Sequence, residues 1–171
     1  MIENGFFIEH DELFELIGAI HATSDSFACE FEDEFPYVVA LSTWLDQLGK
    51  LPGSQFLVAR QGGKLIGFLF VEPKTQSKLK HTASLTVGIR AEAQGFGVGQ
   101  KLLDALFPLL QREGRIEILY LMVRADNESA LRLYRKSGFD LVAILDRDTK
   151  IGEHYFSGVL MRKFIQAGSI D

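Results

Sequence analysis

Three closely spaced glycines, in the segment Gln94-Gly95-Phe96-Gly97-Val98-Gly99, separate an alternating apolar stretch from a leucine-rich one. Glycine tolerates positive φ and lets a ligand approach the backbone, so successive N–H groups can converge on an anion. The first four amides of a following helix lack partners within that helix, and its dipole adds partial positive charge. The segment therefore predicts an anion site that suits a pyrophosphate.

Two other nucleotide-binding patterns do not fit these glycines. The dinucleotide fingerprint needs a third glycine three positions after the second, where this chain has Gln100 or Leu102. The P-loop needs Gly-Lys-Ser/Thr, whereas Gly99 is followed by Gln100-Lys101-Leu102. Dinucleotide enzymes and P-loop NTPases are therefore excluded, and a glycine-rich helix start that binds nothing is the alternative at this point.

A second candidate segment begins at Asn127, after the next apolar stretch, and ends at Gly138-Phe139. Asn127 is a typical helix N-cap residue, because its side chain can accept a hydrogen bond from an amide of the first turn. Tyr134 follows seven residues later, nearly two helical turns, so both side chains lie along one stripe about 10 Å apart. They could contact one extended ligand, although a helix tyrosine commonly packs in the core.

Taken together, the two segments resemble the GNAT superfamily of acetyl-CoA-dependent N-acetyltransferases. Gln94, Gly97 and Gly99 match the pyrophosphate-loop pattern Gln/Arg-x-x-Gly-x-Gly/Ala of that superfamily. The stretch 127–139 matches its second signature, Asn-x-x-Ala-x-x-Leu-Tyr-x-x-x-Gly-Phe, at every defined position. The motifs and the strand between them cover about a third of the chain.

The resemblance implies acetyl-CoA as acyl donor and assigns roles to individual residues. Tyr134 would be the general acid that protonates the departing thiolate, because a phenol can donate as charge develops on sulfur. The strand before the glycine segment would pair with the pantetheine arm of acetyl-CoA through its exposed backbone edge. Asn127 would contact the same arm. The implied cofactor-binding residues are Val87, Gly88, Ile89, Gln94, Gly95, Phe96, Gly97, Val98, Gly99, Asn127 and Tyr134.

The implied activity is transfer of acetyl from acetyl-CoA to a primary amine by direct attack in a ternary complex. Three alternatives stay open from the sequence: a CoA-sensing module without catalysis, a transferase for a longer acyl-CoA, and a structural domain that binds no CoA. The acceptor is a small-molecule or peptide amine whose identity the sequence does not specify.

The acceptor amine must lose a proton, but the sequence points to no single base. Candidate residues fall in two groups: an acidic segment after the first helix, and polar residues at or before the central strand. They are Glu30, Glu32, Asp33 and Glu34, and His81, Ser84 and Thr86. Aromatic candidates for the acceptor pocket, equally typical of core, are Phe27, Phe31, Phe35 and Trp44, and His154 and Tyr155 of the closing hairpin are further candidates. Cys29 is expected to be a buried, inert thiol, and no Cys/His spacing predicts a metal.

The elements that would position these residues form an α/β (α+β) fold of the GNAT type. Apolar periodicity predicts the order β-α-α-β-β-β-α-β-α-β-β, a mixed, mainly antiparallel sheet with helices on both faces. The predicted strands are 5–9, 55–60, 64–72, 82–89, 116–123, 141–146 and 155–164. The predicted helices begin near Asp11, Pro36, Val98 and Asn127, and the last two end near Glu113 and Ser137.

Length and charge set the remaining expectations. The 171 residues, 47% of them hydrophobic, predict one domain spanning 1–171. A formal net charge of −5 argues against a nucleic-acid partner. No apolar stretch approaches the roughly 20 residues of a membrane span. One cysteine and no secretory signal predict a cytoplasmic protein, and the resemblance makes a homodimer possible.

Overall fold

The computed structural model describes residues 1–27 and 29–166, and in these it places seven strands and five α-helices. The strands are β1 (Ile2–Asn4), β2 (Gln55–Gln61), β3 (Lys64–Pro73), β4 (Thr82–Ile89), β5 (Ile118–Arg124), β6 (Asp140–Ile151) and β7 (His154–Phe164). The helices are α1 (His10–His21), α2 (Phe31–Glu34), α3 (Val38–Gly49), α4 (Val98–Glu113) and α5 (Glu128–Lys136). Short 3₁₀ turns occupy Gly5–Phe7 and Ala91–Ala93.

All seven strands form one sheet in the order β1-β2-β3-β4-β5-β7-β6. Every neighbouring pair is antiparallel except β4 and β5, which are parallel. A parallel pair needs a crossover connection, and α4 provides it. The mixed, mainly antiparallel sheet predicted from the sequence is confirmed.

Helices cover both faces of the sheet because alternate residues of each strand point to opposite sides. On β2, Phe56 and Val58 pack with α1 and α3, whereas Leu57 and Ala59 pack with α4. The α4 face also buries a leucine stripe of that helix and the inner residues of α5. Leu102, Leu103 and Leu106 of this stripe have no exposed surface.

The helix ends follow local rules that the sequence displays. Asn127 caps α5, since its side chain accepts a hydrogen bond from the Ala130 amide. Gly114 ends α4 at φ 67°, and Gly138 follows α5 at φ 83°, both in the left-handed region that favours glycine. The predicted helix ends near residues 113 and 137 are therefore confirmed.

The largest differences from the prediction are two strand boundaries and one additional helix. The first strand is 2–4 rather than 5–9, because Gly5 is buried against Phe56 and the chain turns there under the Asn4 cap. Helix α2 was missed, since it is only four residues long and acidic. Strand β6 runs to Ile151 rather than 146, because pairing with β7 resumes after an irregularity between Leu145 and Thr149.

Within the described part of the chain, no helix has both the length and the apolar character required to cross a membrane.

Candidate functional site

Strands β4 and β5 diverge, and this opening is the centre of the candidate site. They pair only over Thr82–Ser84 and Ile118–Tyr120, whereas β3 accompanies β4 as far as Ile89. Beyond Ser84, the edge of β4 that faces β5 has no strand beside it. Val87, Gly88 and Ile89 lie in this part of β4, so their backbone groups on that edge are available to an extended ligand.

The glycine loop, Gln94–Gly99, lies at the open end of β4. Gln94 is fixed to the strand, because its Nε2 donates to the Ile89 carbonyl at 3.1 Å. Gly95 and Gly97 have φ of 80° and 78°, and a Cβ at either would meet no atom within 4 Å. The left-handed turn is thus open on the side where a ligand would approach.

Helix α4 begins from Gly97 with unpartnered amides. The first bond of the helix runs from the Lys101 amide to the Gly97 carbonyl at 3.1 Å. The amides of Val98, Gly99 and Gln100 precede it and so have no carbonyl of the helix to donate to. With the positive end of the helix dipole, they form an anion site that needs no basic side chain.

Gly99 has a packing role that differs from that of Gly97. A Cβ on Gly99 would lie 2.7 Å from Leu133 Cδ2, so its absence lets α4 approach α5 closely. Ser137 Oγ also donates to Gln100 Oε1 at 3.4 Å. The two sequence motifs are therefore held against each other by the packing of their helices.

Tyr134 lies on the inner side of α5, with only 6% of its surface exposed. Its ring packs edge-on against Phe139 at 5.5 Å between centroids. Burial raises the pKa of the phenol above its usual value, because the charged phenolate would lose solvation. The hydroxyl is therefore a proton donor over the whole neutral pH range, and the ring is also part of the core.

Asn127 holds the start of the same helix. Its Oδ1 accepts hydrogen bonds from the Ala130 amide at 3.2 Å and from Ser129 Oγ at 3.0 Å. The oxygen of the side chain is thus committed to the cap, and a ligand would use the Nδ2 donor. The capping role expected for this residue is confirmed.

An acidic cavity of about 330 Å³ lies between the segment that follows α1 and the end of β6. Its carboxylates are Asp25, Glu30 and Asp33, and Lys150 lies on the hairpin side. Of the predicted base candidates, Glu30 and Asp33 line it. Glu32 and Glu34 do not line it, and His81 lies at the opposite end of β4. Ser84 and Thr86 are half-buried on β4.

His21 also lines the acidic cavity and was not singled out from the sequence. Its ring stacks on Phe27 at 4.1 Å between centroids. Desolvation lowers the pKa of the imidazole, and the carboxylates of Glu34, Glu30 and Glu32 partly oppose that shift. The ring is therefore mainly neutral at neutral pH and can accept a proton.

Arg124 connects the acidic cavity to the end of β5. Its guanidinium contacts Asp126 at 2.6 Å and Asp25 at 3.1 Å, and lies 4.3 Å from the centre of the Phe156 ring. The side chain is only 13% exposed. The arginine therefore fixes the segment after α1 beside the N-terminus of α5.

A family model described as the acetyltransferase (GNAT) family matches residues 16–139, most of the chain. The chain belongs to the GNAT family. Acetyl-CoA is the co-substrate of this family, and the matched range contains β4, the glycine loop and α5 up to Phe139. The resemblance seen in the two motifs is confirmed.

Two curated relatives share parts of this GNAT chain. The N-alpha-acetyltransferase RimI of Mycobacterium tuberculosis is 33% identical over 96 residues, which are 56% of this chain and 58% of the relative. The L-amino acid N-acetyltransferase AaaT of Escherichia coli is 25% identical over 136 residues, which are 78% of this chain and 82% of the relative. The chain thus aligns with little more than half of the mycobacterial protein.

Solved structures have the same fold. A GNAT-family acetyltransferase from Streptococcus pneumoniae superposes with a TM-score of 0.87 at 22% identity, covering 96% of this chain and 98% of the other. The yncA protein of Salmonella typhimurium, solved with its cofactor acetyl-CoA, has a TM-score of 0.84 at 17% identity. The superposition covers 99% of this chain and 95% of the yncA chain. The GNAT fold predicted from the sequence is confirmed.

The remaining candidates of this GNAT chain separate into core and surface. Phe31 and Phe35 are buried in the core between α1 and α3, and Trp44 packs against it, whereas Phe27 lines the acidic cavity. His154 and Tyr155 are exposed and do not line that cavity. Among residues 1–27 and 29–166, no three His, Cys, Asp or Glu side chains converge as a metal site.

Cys29 is exposed, so the predicted burial is wrong. The residue lies outside the helices and strands and lines the acidic cavity. Its Sγ donates to Glu34 Oε2 at 2.9 Å. Partial desolvation of the thiol, together with this carboxylate, raises its pKa to about 12, so the thiol stays protonated and is a poor nucleophile.

Proposed function

We propose that this protein is an N-acetyltransferase that moves the acetyl group of acetyl-CoA to a primary amine by direct attack within a ternary complex. The observation that carries the proposal is the opening between β4 and β5, which ends at the unpartnered amides of the glycine loop. This opening suits an extended ligand that has amide groups along an apolar arm and a pyrophosphate at one end. A single GNAT-like unit over residues 1–171 is part of the proposal.

The fit to acetyl-CoA rests on backbone groups. The loop amides of Gly95, Phe96, Gly97, Val98 and Gly99 would hold the pyrophosphate, with Gln94 positioning the loop through its bond to Ile89. The free edge of β4 at Val87, Gly88 and Ile89 would pair with the pantetheine arm. The Asn127 Nδ2 group would donate to an amide carbonyl of the same arm.

Tyr134 is the proposed general acid. Attack by the neutral amine on the thioester carbon would form the C–N bond, and the C–S bond would then break, so that the CoA sulfur leaves as a thiolate. A backbone N–H on the free edge of β4 would stabilise the oxyanion that develops on the acetyl carbonyl. The raised pKa keeps the buried Tyr134 hydroxyl protonated before the reaction; the hydroxyl would donate its proton to the thiolate and then regain a proton from solvent.

The acidic cavity is the proposed entrance for the acceptor, a small-molecule or peptide amine. Its carboxylates Asp25, Glu30 and Asp33 would attract the protonated amine, and attack requires that amine to be neutral. His21 lines the same cavity with a lowered pKa, so it would accept the proton directly or through water. This role replaces that of His81, which lies at the far end of β4.

The proposal also covers assembly and location. Strand β6 is an edge of the sheet, and Leu141 and Ile144 on it are exposed. An exposed apolar edge strand favours pairing with a second chain, which supports a homodimer. A single cysteine and acetyl-CoA dependence support a cytoplasmic location.

Calorimetric titration of the purified protein with acetyl-CoA, beside CoA and a dinucleotide control, tests the proposal. Saturable binding of the CoA species alone is expected, followed by turnover in an amine panel. Absence of CoA binding would overturn the function. Binding without turnover would indicate a regulatory CoA-sensing module instead, and tighter binding of larger thioesters would indicate a longer acyl donor.

A further inference from the structure

A second cavity, of about 420 Å³, lies far from the acetyl-CoA site and is surrounded by basic side chains. Lys74 and Lys80 come from the connection between β3 and β4, His81 immediately precedes β4, and Arg115 follows α4. No Asp or Glu of the described residues lines this basic cavity. In a chain with a formal net charge of −5, such a concentration of positive charge needs an explanation.

The floor of the basic cavity is apolar. Leu51 and Pro52, from the turn after α3, and the buried Pro73, at the end of β3, form part of its lining. A concave apolar surface with a few converging polar groups is the usual form of a small-molecule site. The lining thus fits a ligand with an apolar body and an anionic head.

The basic side chains have few partners of their own. Arg115 Nε is 4.0 Å from Glu113, whose other carboxylate oxygen accepts from Gln55. No ion pair involves Lys74 or Lys80 among residues 1–27 and 29–166. Their positive charge is therefore available to an anion.

The loop that carries the two lysines is ordered by its own hydrogen bonds. The Lys74 amide donates to the Thr82 carbonyl at 3.0 Å, and the Thr82 amide donates to the Leu79 carbonyl at 2.8 Å. The buried Thr82 hydroxyl also donates to the Leu79 carbonyl at 2.9 Å. The backbone on this side of the cavity is thus held in place before any ligand binds, which lowers the cost of binding.

We propose that the basic cavity binds a small amphipathic anion, a carboxylate or a phosphate monoester on a compact apolar body. The site is distinct from the pyrophosphate loop. It lies at the C-terminal end of the 16-residue helix α4, about 24 Å from the glycine loop at the N-terminal end. The proposal does not depend on the acetyltransferase function.

The basic cavity is connected to the acetyl-CoA site through the backbone at the start of β4 and β5. The His81 carbonyl accepts hydrogen bonds from the Glu117 amide at 2.8 Å and the Ile118 amide at 3.2 Å. These bonds lie where β4 and β5 begin their short parallel pairing, at the closed end of the opening. An anion that contacts His81 therefore binds where the two strands are joined.

A chemical-shift titration of ¹⁵N-labelled protein tests the site with probes that share one apolar body. The probes are 2-naphthoate, 2-naphthyl phosphate and 2-naphthylmethylammonium. We expect saturable shifts in the amides of residues 74–82 and of Arg115 with at least one of the two anions, and the tighter anion identifies the preferred head group. The cation is expected to leave these amides unshifted.

Two variants in one loop make the test specific. Lys80→Glu should weaken binding of the anion about tenfold, because it reverses one of the lining charges. Lys78→Glu makes the same change in net charge two residues away, outside the lining, and should weaken binding less than about twofold. Unchanged melting temperatures would show that both variants fold.

Three results would overturn the proposal. One is equal weakening by both variants, which would mean a general field rather than a site. A second is a set of shifts that do not saturate or do not map to the cavity with either anion. A third is equal binding of the cationic probe at these amides. None of these three results would bear on acetyl-CoA binding, which calorimetry measures separately.

Discussion

The proposed cofactor side and the proposed acceptor side of this molecule are built in different ways. On the cofactor side, the glycine loop and α5 present mainly backbone amides and one buried phenol, and Gly99 packs the two helices together. On the acceptor side, the acidic cavity is made of side chains from α1, the segment after it, α2 and the end of β6. Backbone sites follow from short local motifs, whereas the cavity depends on tertiary packing.

The buried phenol on the cofactor side gives the largest expected effect. Tyr134→Phe should lower turnover about 100-fold, because it removes the donor to the leaving thiolate while keeping the ring. The affinity for acetyl-CoA and the melting temperature should change little, since the ring packing against Phe139 is retained. Steady-state kinetics, calorimetry and thermal unfolding would measure the three quantities.

Loss of acetyl-CoA affinity equal to the loss of turnover would show that Tyr134 binds rather than donates. Equal turnover in both proteins would remove Tyr134 from the mechanism. The raised pKa of the phenol adds a pH test: deprotonation of Tyr134 should not limit turnover anywhere between pH 6 and pH 10, since its pKa lies above the ordinary value of about 10.

Gly97→Ala should weaken acetyl-CoA binding about tenfold, or about 1.4 kcal/mol, with a comparable loss of stability. Gly97 has φ of 78°, which costs a non-glycine residue roughly 1–2 kcal/mol, and the new methyl group would occupy the open side of the loop. Calorimetry with acetyl-CoA and thermal unfolding would measure both effects.

Gly62→Ala is the matched control for this change. Gly62 also has positive φ, 57°, with no atom within 4 Å of an added Cβ, but it lies in the turn between β2 and β3. The Gly62→Ala substitution should lower the melting temperature by about 2–4 °C for each kcal/mol of lost stability. The affinity for acetyl-CoA should stay unchanged. A similar loss of affinity in both variants would mean that backbone strain, not ligand approach, explains Gly97→Ala.

The same contrast explains how much could be predicted from the sequence. The glycine loop, the cap at Asn127 and the alternating strand 82–89 are local patterns, and each was located correctly. The role of Gly99 in packing against Leu133 was missed, because it depends on a contact between two helices. Strand β6 was placed too short because its end, 146–151, has polar residues that are typical of a loop.

On the acceptor side, prediction was weaker for a physical reason. His81 was one of seven candidates for the base or proton relay because it precedes the central strand, but the strand direction puts it at the end away from the glycine loop. His21 and Arg124 were not considered, because their surroundings come from distant parts of the chain: Lys150 shares the cavity of His21, and Arg124 contacts Asp25, 99 residues away. The sequence did carry one indication of His21: the apolar stripe of α1 ends at this histidine, and an acidic segment follows it.

The pH dependence of stability offers the smallest expected effect and tests the acceptor side. The folded-state pKa of His21 is lowered, so protonation favours the unfolded chain. The stabilising contribution is fully present above the ordinary histidine pKa of about 6.5 and is lost as pH falls through the lower folded-state value. His21→Gln should therefore lose less stability than the unmodified protein between pH 7.5 and pH 5.

Thermal unfolding of both proteins across that range measures the difference, which should be smaller than the 2–4 °C that about 1 kcal/mol produces at this size. His10→Gln is a suitable control, because His10 begins α1 outside the acidic cavity. If the two variants follow the same pH curve, His21 is not desolvated and its assignment as a neutral base fails. A smaller loss of stability at low pH in His21→Gln alone would instead show that the acidic cavity, despite its carboxylates, holds a neutral imidazole ready to accept a proton from the amine.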